Sequence, residues 1–276
     1  MSRLAEMFSK CREQGRRALI PFITAGDPLP AVTVPLLHAL VEGGADILEL
    51  GVPFSDPMAD GPVIQQAAER ALKHNVSLRN VLDMVREFRK NNRSTPVVLM
   101  GYLNPVEAYG YAAFAKQAAA AGVDGVLTVD LPPEEADGLI TELRANKIDP
   151  IFLLAPTSDQ IRIRRILAVA SGFVYYVSLR GVTGAGHLDL TEARQRVAEI
   201  RAQTKLPVGV GFGINGPQAA ADVAEFADAV VVGSALVRRI AELADYPDRI
   251  PAEARSFIAS LRAAMDVVPA LPVSGG

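Results

Sequence analysis

Eight short apolar runs alternate with amphipathic stretches along most of the chain, and that alternation limits the possible folds more than any other feature. The runs are Ala18–Thr24, Ile47–Leu50, Pro96–Gly101, Gly125–Asp130, Pro150–Leu154, Phe173–Val177, Pro207–Gly211 and Ala229–Gly233. Near-continuous apolar runs of this length are what strands buried on both faces require. They recur at a spacing of roughly thirty residues, the length of one strand–helix unit. An open, doubly wound sheet is one arrangement for such units, but eight even ones favour closure into a (β/α)8 TIM barrel. An amphipathic segment over 2–14, with Leu4, Met7 and Phe8 on one face, predicts an extra helix ahead of the first strand. No linker divides the 276 residues, so 1–276 reads as one domain, with 267–276 a frayed tail carrying Pro269 and Pro272.

Local signals set the helix limits. Ala25-Gly26-Asp27-Pro28 reads as a turn with a helix cap, leading to a helix that ends at Gly43-Gly44 and must take Pro35 in its first turn or kink there. Pro62 opens a helix to about Leu72. Ser77 caps another, which shows Leu78, Val81, Leu82, Val85 and Phe88 on one face. Further helices are predicted from Pro105 to Ala121, from Pro132-Pro133-Glu134-Glu135 onward, from Ser158 or Asp159 to Ala170, and near 190–203 and 249–265, with one more starting at Ser234.

In a barrel of this kind the working face is built from the loops that follow the strands. Glu49 sits inside the second apolar run, where an unpaired carboxylate faces a large desolvation cost. Either an Arg or Lys pairs with it inside the barrel, or it is used chemically. Asp60 follows on the next loop; it caps the helix at Pro62 or forms, with Glu49, an acid/base pair of one rigid and one mobile group. Asp130 and Tyr175 also fall at strand ends, although Tyr175 shares a strand face with Phe173 and Val177 and reads as a core tyrosine. Three glycine-bearing loops stand out: Gly181-Val182-Thr183-Gly184, Gly211-Phe212-Gly213-Ile214-Asn215-Gly216 and Gly233-Ser234-Ala235. The last two follow strands seven and eight, where barrels often bind phosphate through backbone N–H groups and a helix N-terminus. Of the histidines, His38 and His74 lie on helices and neither reads as catalytic; His187 lies in the loop after strand six, and the sequence assigns it no role.

Composition narrows the partners. A net charge of -3 without a basic block gives no footprint for nucleic acid. Cys11 is the sole cysteine, so there is no intrachain disulfide and a reducing cytoplasm fits. Cysteine and histidine show no metal-ligand spacing. No signal peptide or membrane span is predicted.

Taken in order, these stretches resemble the tryptophan synthase alpha subunit. The resemblance rests on Pro21-Phe22-Ile23-Thr24-Ala25-Gly26-Asp27-Pro28, on the run from Glu49 through Pro53-Phe54-Ser55-Asp56-Pro57-Met58-Ala59-Asp60 to Gln65, and on Gly181–Gly184, Gly211–Ile214 and Val232–Ala235. It implies a retro-aldol lyase that cleaves indole-3-glycerol phosphate to indole and glyceraldehyde 3-phosphate with no cofactor of its own. It implies a beta-subunit partner carrying pyridoxal phosphate, in an alpha2-beta2 tetramer. By the same resemblance Glu49 and Asp60 are catalytic and Tyr175 lies beside Glu49. Phe22, Met100 and Phe212 line the indole pocket, and Gly184, Gly213, Gly233 and Ser234 hold phosphate. Residues 53–61 and 179–189 are closing loops, Thr183 reaches Asp60, and Pro53 and Asp56 lie on the rim that meets the partner. The chain departs from the pattern at Met100, where leucine is expected, and after Gly184, where a more polar run is expected. A sugar-phosphate epimerase or isomerase, or a non-catalytic barrel that activates a partner, are the rival readings.

Overall fold

A computed structural model of the chain describes residues 2–177, 190–211 and 213–269. In chain order the first half runs α1 (Arg3–Glu13), β1 (Ala18–Thr24), α2 (Pro30–Glu42), β2 (Leu48–Gly51), α3 (Pro62–Leu72), α4 (Leu78–Asn91), β3 (Val97–Gly101), α5 (Leu103–Tyr109), α6 (Tyr111–Ala121) and β4 (Gly125–Thr128). The second half runs α7 (Asp137–Ala145), β5 (Asp149–Leu154), α8 (Gln160–Val169), β6 (Val174–Tyr176), α9 (Leu190–Arg201), β7 (Val208–Val210), α10 (Pro217–Ala224), β8 (Ala229–Val232), α11 (Ser234–Glu242) and α12 (Ile250–Asp266). The strands are parallel and form a closed barrel in sequence order, β8 pairing with β1 through Ala18↔Ala229 to Pro21↔Val232.

Two apolar layers follow from the alternation of side chains along each strand. One alternate set, with Leu19, Leu48, Leu99, Val126, Phe152, Val210 and Val230, packs outward under the helices. The other set fills the barrel, and Leu4, Phe8 and Cys11 of α1 join it beside Ala18, Ile20, Ile47 and Phe173. The Phe8 and Phe173 rings lie 5.7 Å apart, so α1 plugs the end at which the strands begin. That end is also stitched by ion pairs. Asp46, Asp124 and Asp228 each stand just ahead of a strand, and each accepts from the first backbone N–H groups of a neighbouring one: Leu19, Val97 and Val208. Arginines neutralise all three: Arg16 and Arg262 at Asp46, Arg3 and Arg89 at Asp124, Arg201 at Asp228. This face holds the barrel together.

Several limits differ from expectation. The helix predicted over 105–121 is two, because Gly110 takes φ 86 and separates α5 from α6. Pro132–Glu135 forms a turn rather than a first helical turn, and α7 begins at Asp137. Asp27 caps nothing: Leu29 is the N-cap of α2, while the Asp27 carboxylate is buried against Arg70 of α3 at 2.6 and 2.9 Å. Pro35 lies inside α2, beyond its first turn. Helix α10 was not foreseen. It starts at Pro217, a residue suited to a first turn, and buries Ala220, Val223 and Ala224.

Candidate active site

At the strand C-termini, Phe22 and Thr24 of β1, Gly51 of β2, Met100 and Gly101 of β3, and Pro53, Asp60, Ile64 and Tyr102 from the segments that follow line one cleft. Its width depends on glycine. A Cβ at Gly51 would come within 2.6 Å of Phe22 Cζ, so the Phe22 ring takes the space a side chain there would need. Phe22 also packs with Ala67 of α3 and Val237 of α11, with Ile64 and Met100 alongside.

Glu49 of β2 is paired in register with Phe22 on one side and Val98 on the other. It is 1% exposed, and neither carboxyl oxygen has a hydrogen-bond partner among the described residues. Other buried carboxylates, Asp27, Asp46 and Asp124, have arginines; Glu49 has none among the described residues. Burial, and secondarily the charge of Asp60, pushes its pKa up to about 8, so it carries a proton at neutral pH. The structural reading of Glu49 as half of an ion pair therefore fails among the described residues.

Asp60 is half-buried on the loop ahead of α3. The N-cap of that helix is Gly61, with no side-chain cap, so the capping role is not the one Asp60 fills. Burial raises its pKa to about 6, against the opposing pull of a hydrogen bond from Tyr102. The pair thus consists of a protonated acid and a carboxylate, a separation of acidities that general acid/base chemistry uses. Tyr175 of β6 sits in the barrel interior with Phe173 and Val177, its ring packed on Gly211; burial and the nearby Glu49 raise its pKa.

Gly233 ends β8 and is the N-cap of α11, whose first residue is Ser234; no side chain caps that end. A Cβ at Gly233 would stand 3.8 Å from Phe22 Cβ, so this helix end borders the same cleft. Gly213, after β7, takes φ 58, the left-handed backbone glycine favours. Pro53 is buried at the cleft wall, whereas Asp56 is exposed and Met58, on the same loop, is 92% exposed. Asp130 accepts from the Leu103 N–H at 2.8 Å, which accounts for it as the support of α5. Thr183, Gly184, His187 and the rest of 179–189, and Phe212, lie outside the described residues. Tyr102 was missed by the sequence reading, although its place directly after Gly101 at a strand end was the available signal. Among the described residues, no three His, Cys, Asp or Glu are grouped to hold a metal ion. No helix among them is long and apolar enough to cross a membrane.

Fold and cleft together place the chain among the (β/α)8 barrels that work from the C-terminal ends of their strands. A family model described as tryptophan synthase alpha chain matches residues 8–266. The tryptophan synthase alpha chain of Thioalkalivibrio sulfidiphilus is 63% identical over 266 residues, covering 96% of this chain and 100% of that one. That of Nitrosococcus oceani is 60% identical, with 96% and 98% covered. The crystal structure of tryptophan synthase subunit alpha from Legionella pneumophila superposes with a TM-score of 0.92 at 48% identity, covering 97% of this chain and 100% of that one. The chain belongs to the tryptophan synthase alpha chain family. It is a lyase component of tryptophan synthase, serving the alpha reaction of tryptophan biosynthesis, and this membership implies a beta-subunit partner.

Proposed function

We propose that the chain cleaves indole-3-glycerol phosphate to indole and glyceraldehyde 3-phosphate, with Glu49 carrying the protons and Asp60 stabilising the cationic indole ring. The observation that carries this reading is Glu49: a buried, protonated carboxyl whose oxygens have no partner among the described residues, in register with Phe22 of the cleft and close enough to Asp60 to feel its charge. The bond to break joins indole C3 to the hydroxyl-bearing carbon of the glyceryl chain. Glu49 delivers its proton to C3, and positive charge spreads over the ring. The Asp60 carboxylate faces the ring N–H and offsets that charge in a site shielded from water. The resulting Glu49 carboxylate then takes the hydroxyl proton as the carbon–carbon bond breaks. Its electrons return to the ring, the hydroxyl-bearing carbon becomes the aldehyde, and Glu49 is again protonated.

Phe22 and Met100 serve as the indole walls, with Phe212 added from the resemblance, and Tyr175 lies beside Glu49. The phosphate goes to Gly184, Gly213, Gly233 and Ser234, drawn by backbone N–H groups and the α11 dipole. Thr183 reaches Asp60 from the loop after β6. The family's beta subunit, carrying pyridoxal phosphate in an alpha2-beta2 tetramer, receives the indole; Pro53, Asp56 and the exposed Met58 are the rim it meets. The chain acts as one domain over 1–276, with 267–276 a tail, in the cytoplasm.

The test is release of indole from indole-3-glycerol phosphate by the purified chain with no metal added. Indole formation by the isolated chain, strongly reduced in Asp60→Asn, is the expected result. No indole from a folded chain, or turnover only with a divalent metal, would favour the non-catalytic or the isomerase reading.

A further inference from the structure

The loop that carries Asp60 has few anchors of its own. Asp60 N–H donates to the Pro57 carbonyl, and the Gln65 side-chain amide donates to the Pro57 and Asp60 carbonyls. The remaining hold comes from Tyr102, which stands on the rigid end of β3. Its hydroxyl oxygen accepts from the Ala59 N–H at 3.0 Å, and Tyr102 and Asp60 line the same cleft. A phenol has one proton and two lone pairs, so with Ala59 as donor the proton is free to go to Asp60. The Tyr102 ring also stacks on Phe54, with centroids 5.2 Å apart and planes 28° from parallel. One side chain therefore grips two residues of the loop, 54 and 59, the second of them next to Asp60.

We propose that Tyr102 is a positioning residue for the alpha reaction: its hydroxyl aims the Asp60 carboxylate at the substrate ring and ties down the loop that carries it. The inference rests on the role given to Asp60 above. A carboxylate on a loop rotates freely and shares itself with water. With one oxygen held by Tyr102, the other is presented in fixed orientation, and electrostatic stabilisation needs no rearrangement when charge develops. Donation to the charged form also keeps Asp60 ionised against its burial. The titratable groups around it are Glu49 from β2, Tyr102 itself, and Asp130 after β4, which acts on Tyr102.

The experiment measures kcat and KM for indole formation in wild type, Tyr102→Phe, Asp60→Asn and the double variant. It is paired with a carbon-13 NMR titration of the Asp60 carboxyl in wild type and Tyr102→Phe, assigned by its absence in Asp60→Asn. Phenylalanine keeps the ring and its stacking on Phe54 and removes only the hydroxyl. Tyr102→Phe is expected to lower kcat by about tenfold or more while KM changes by less than about threefold, the loss one hydrogen bond to a charged group produces. In the Asp60→Asn background the same substitution is expected to cost less than about twofold, because a residue acting through Asp60 has nothing left to act on. The Asp60 titration is expected to move upward. Tyr102→Phe within about twofold of wild type, equal losses in both backgrounds, or an unmoved titration would each overturn the proposal. Where the Asp60→Asn background is too slow to time, the titration decides. A harmless Tyr102→Phe beside a crippled Asp60→Asn removes this inference alone. A harmless Asp60→Asn removes the Asp60 reading and this inference with it.

Discussion

Glu49→Gln is expected to make the protein more stable, by an amount that grows with pH. The folded-state pKa of Glu49 is about 8, against 4.5 for the free group, because the carboxyl is buried and no partner among the described residues offsets the loss of water. Between those values the folded chain keeps a proton that the unfolded chain has released. Stability therefore falls as pH rises through this window, by about 1.4 kcal/mol for each unit. Below about pH 4.5 both states hold the proton, and the group contributes nothing. At pH 7 the accumulated cost is roughly 3 kcal/mol, a large share of the ~5–15 kcal/mol that holds a typical domain folded. Glutamine has nearly the same shape and no titration, so the variant escapes the cost. The other carboxylates are common to both proteins and cancel in the comparison. Urea unfolding of wild type and variant at about pH 5 and about pH 8 reads the gap directly. It should be under about 1 kcal/mol at the lower pH and above about 3 kcal/mol at the higher one. A gap independent of pH, or a wild type stabilised by rising pH relative to the variant, would show that Glu49 is ionised and paired in the folded chain.

Two further substitutions test the edges of the cleft. Ser234→Asp places a negative charge at the uncapped N-terminus of α11, where helix formation tolerates it. The fold should stay intact while substrate affinity drops by about tenfold or more; calorimetric binding unchanged from wild type would remove phosphate from that helix end. Asp56→Ala alters an exposed residue on the loop that also carries Asp60. Since a partner that prefers the closed loop must tighten substrate by the factor substrate tightens it, this variant should lose part of a stimulation typically worth ~1–3 kcal/mol while keeping its basal rate. A titration of alpha activity with beta subunit reads this, and equal stimulation of both proteins would exclude Asp56 from the coupling.

Periodic and punctuated signals were legible in the sequence because local chemistry decides them. Pro62 opens α3, and the Ser77–Asn80 capping box starts α4, whose five periodic apolar residues are all buried. The eight apolar runs are the eight strands, within a residue or two at their ends. What stayed hidden depends on partners distant in sequence. Asp27 looked like a cap because Asp before a helix usually is one; Arg70, on another helix, takes it instead. Gly110 splits a helix whose flanking residues all suit one, since a single positive φ leaves no periodic trace. Glu49 was conspicuous as a charge in an apolar run, yet only the structure could tell whether a cation met it. Tyr102 was invisible for the opposite reason: a tyrosine at a strand end is unremarkable until its hydroxyl is seen on the Ala59 N–H, next to Asp60.

The proton carrier is the centre of the account, and Glu49→Gln turnover tests it most directly. Indole formation from indole-3-glycerol phosphate would be timed in wild type and variant at saturating substrate, with substrate affinity measured separately by calorimetry. General acid/base groups typically supply about 10²–10⁴ in rate, so kcat should fall by at least the lower figure while the dissociation constant stays within about threefold. A variant that turns over within about tenfold of wild type would contradict the assignment of Glu49 as the group that moves the protons.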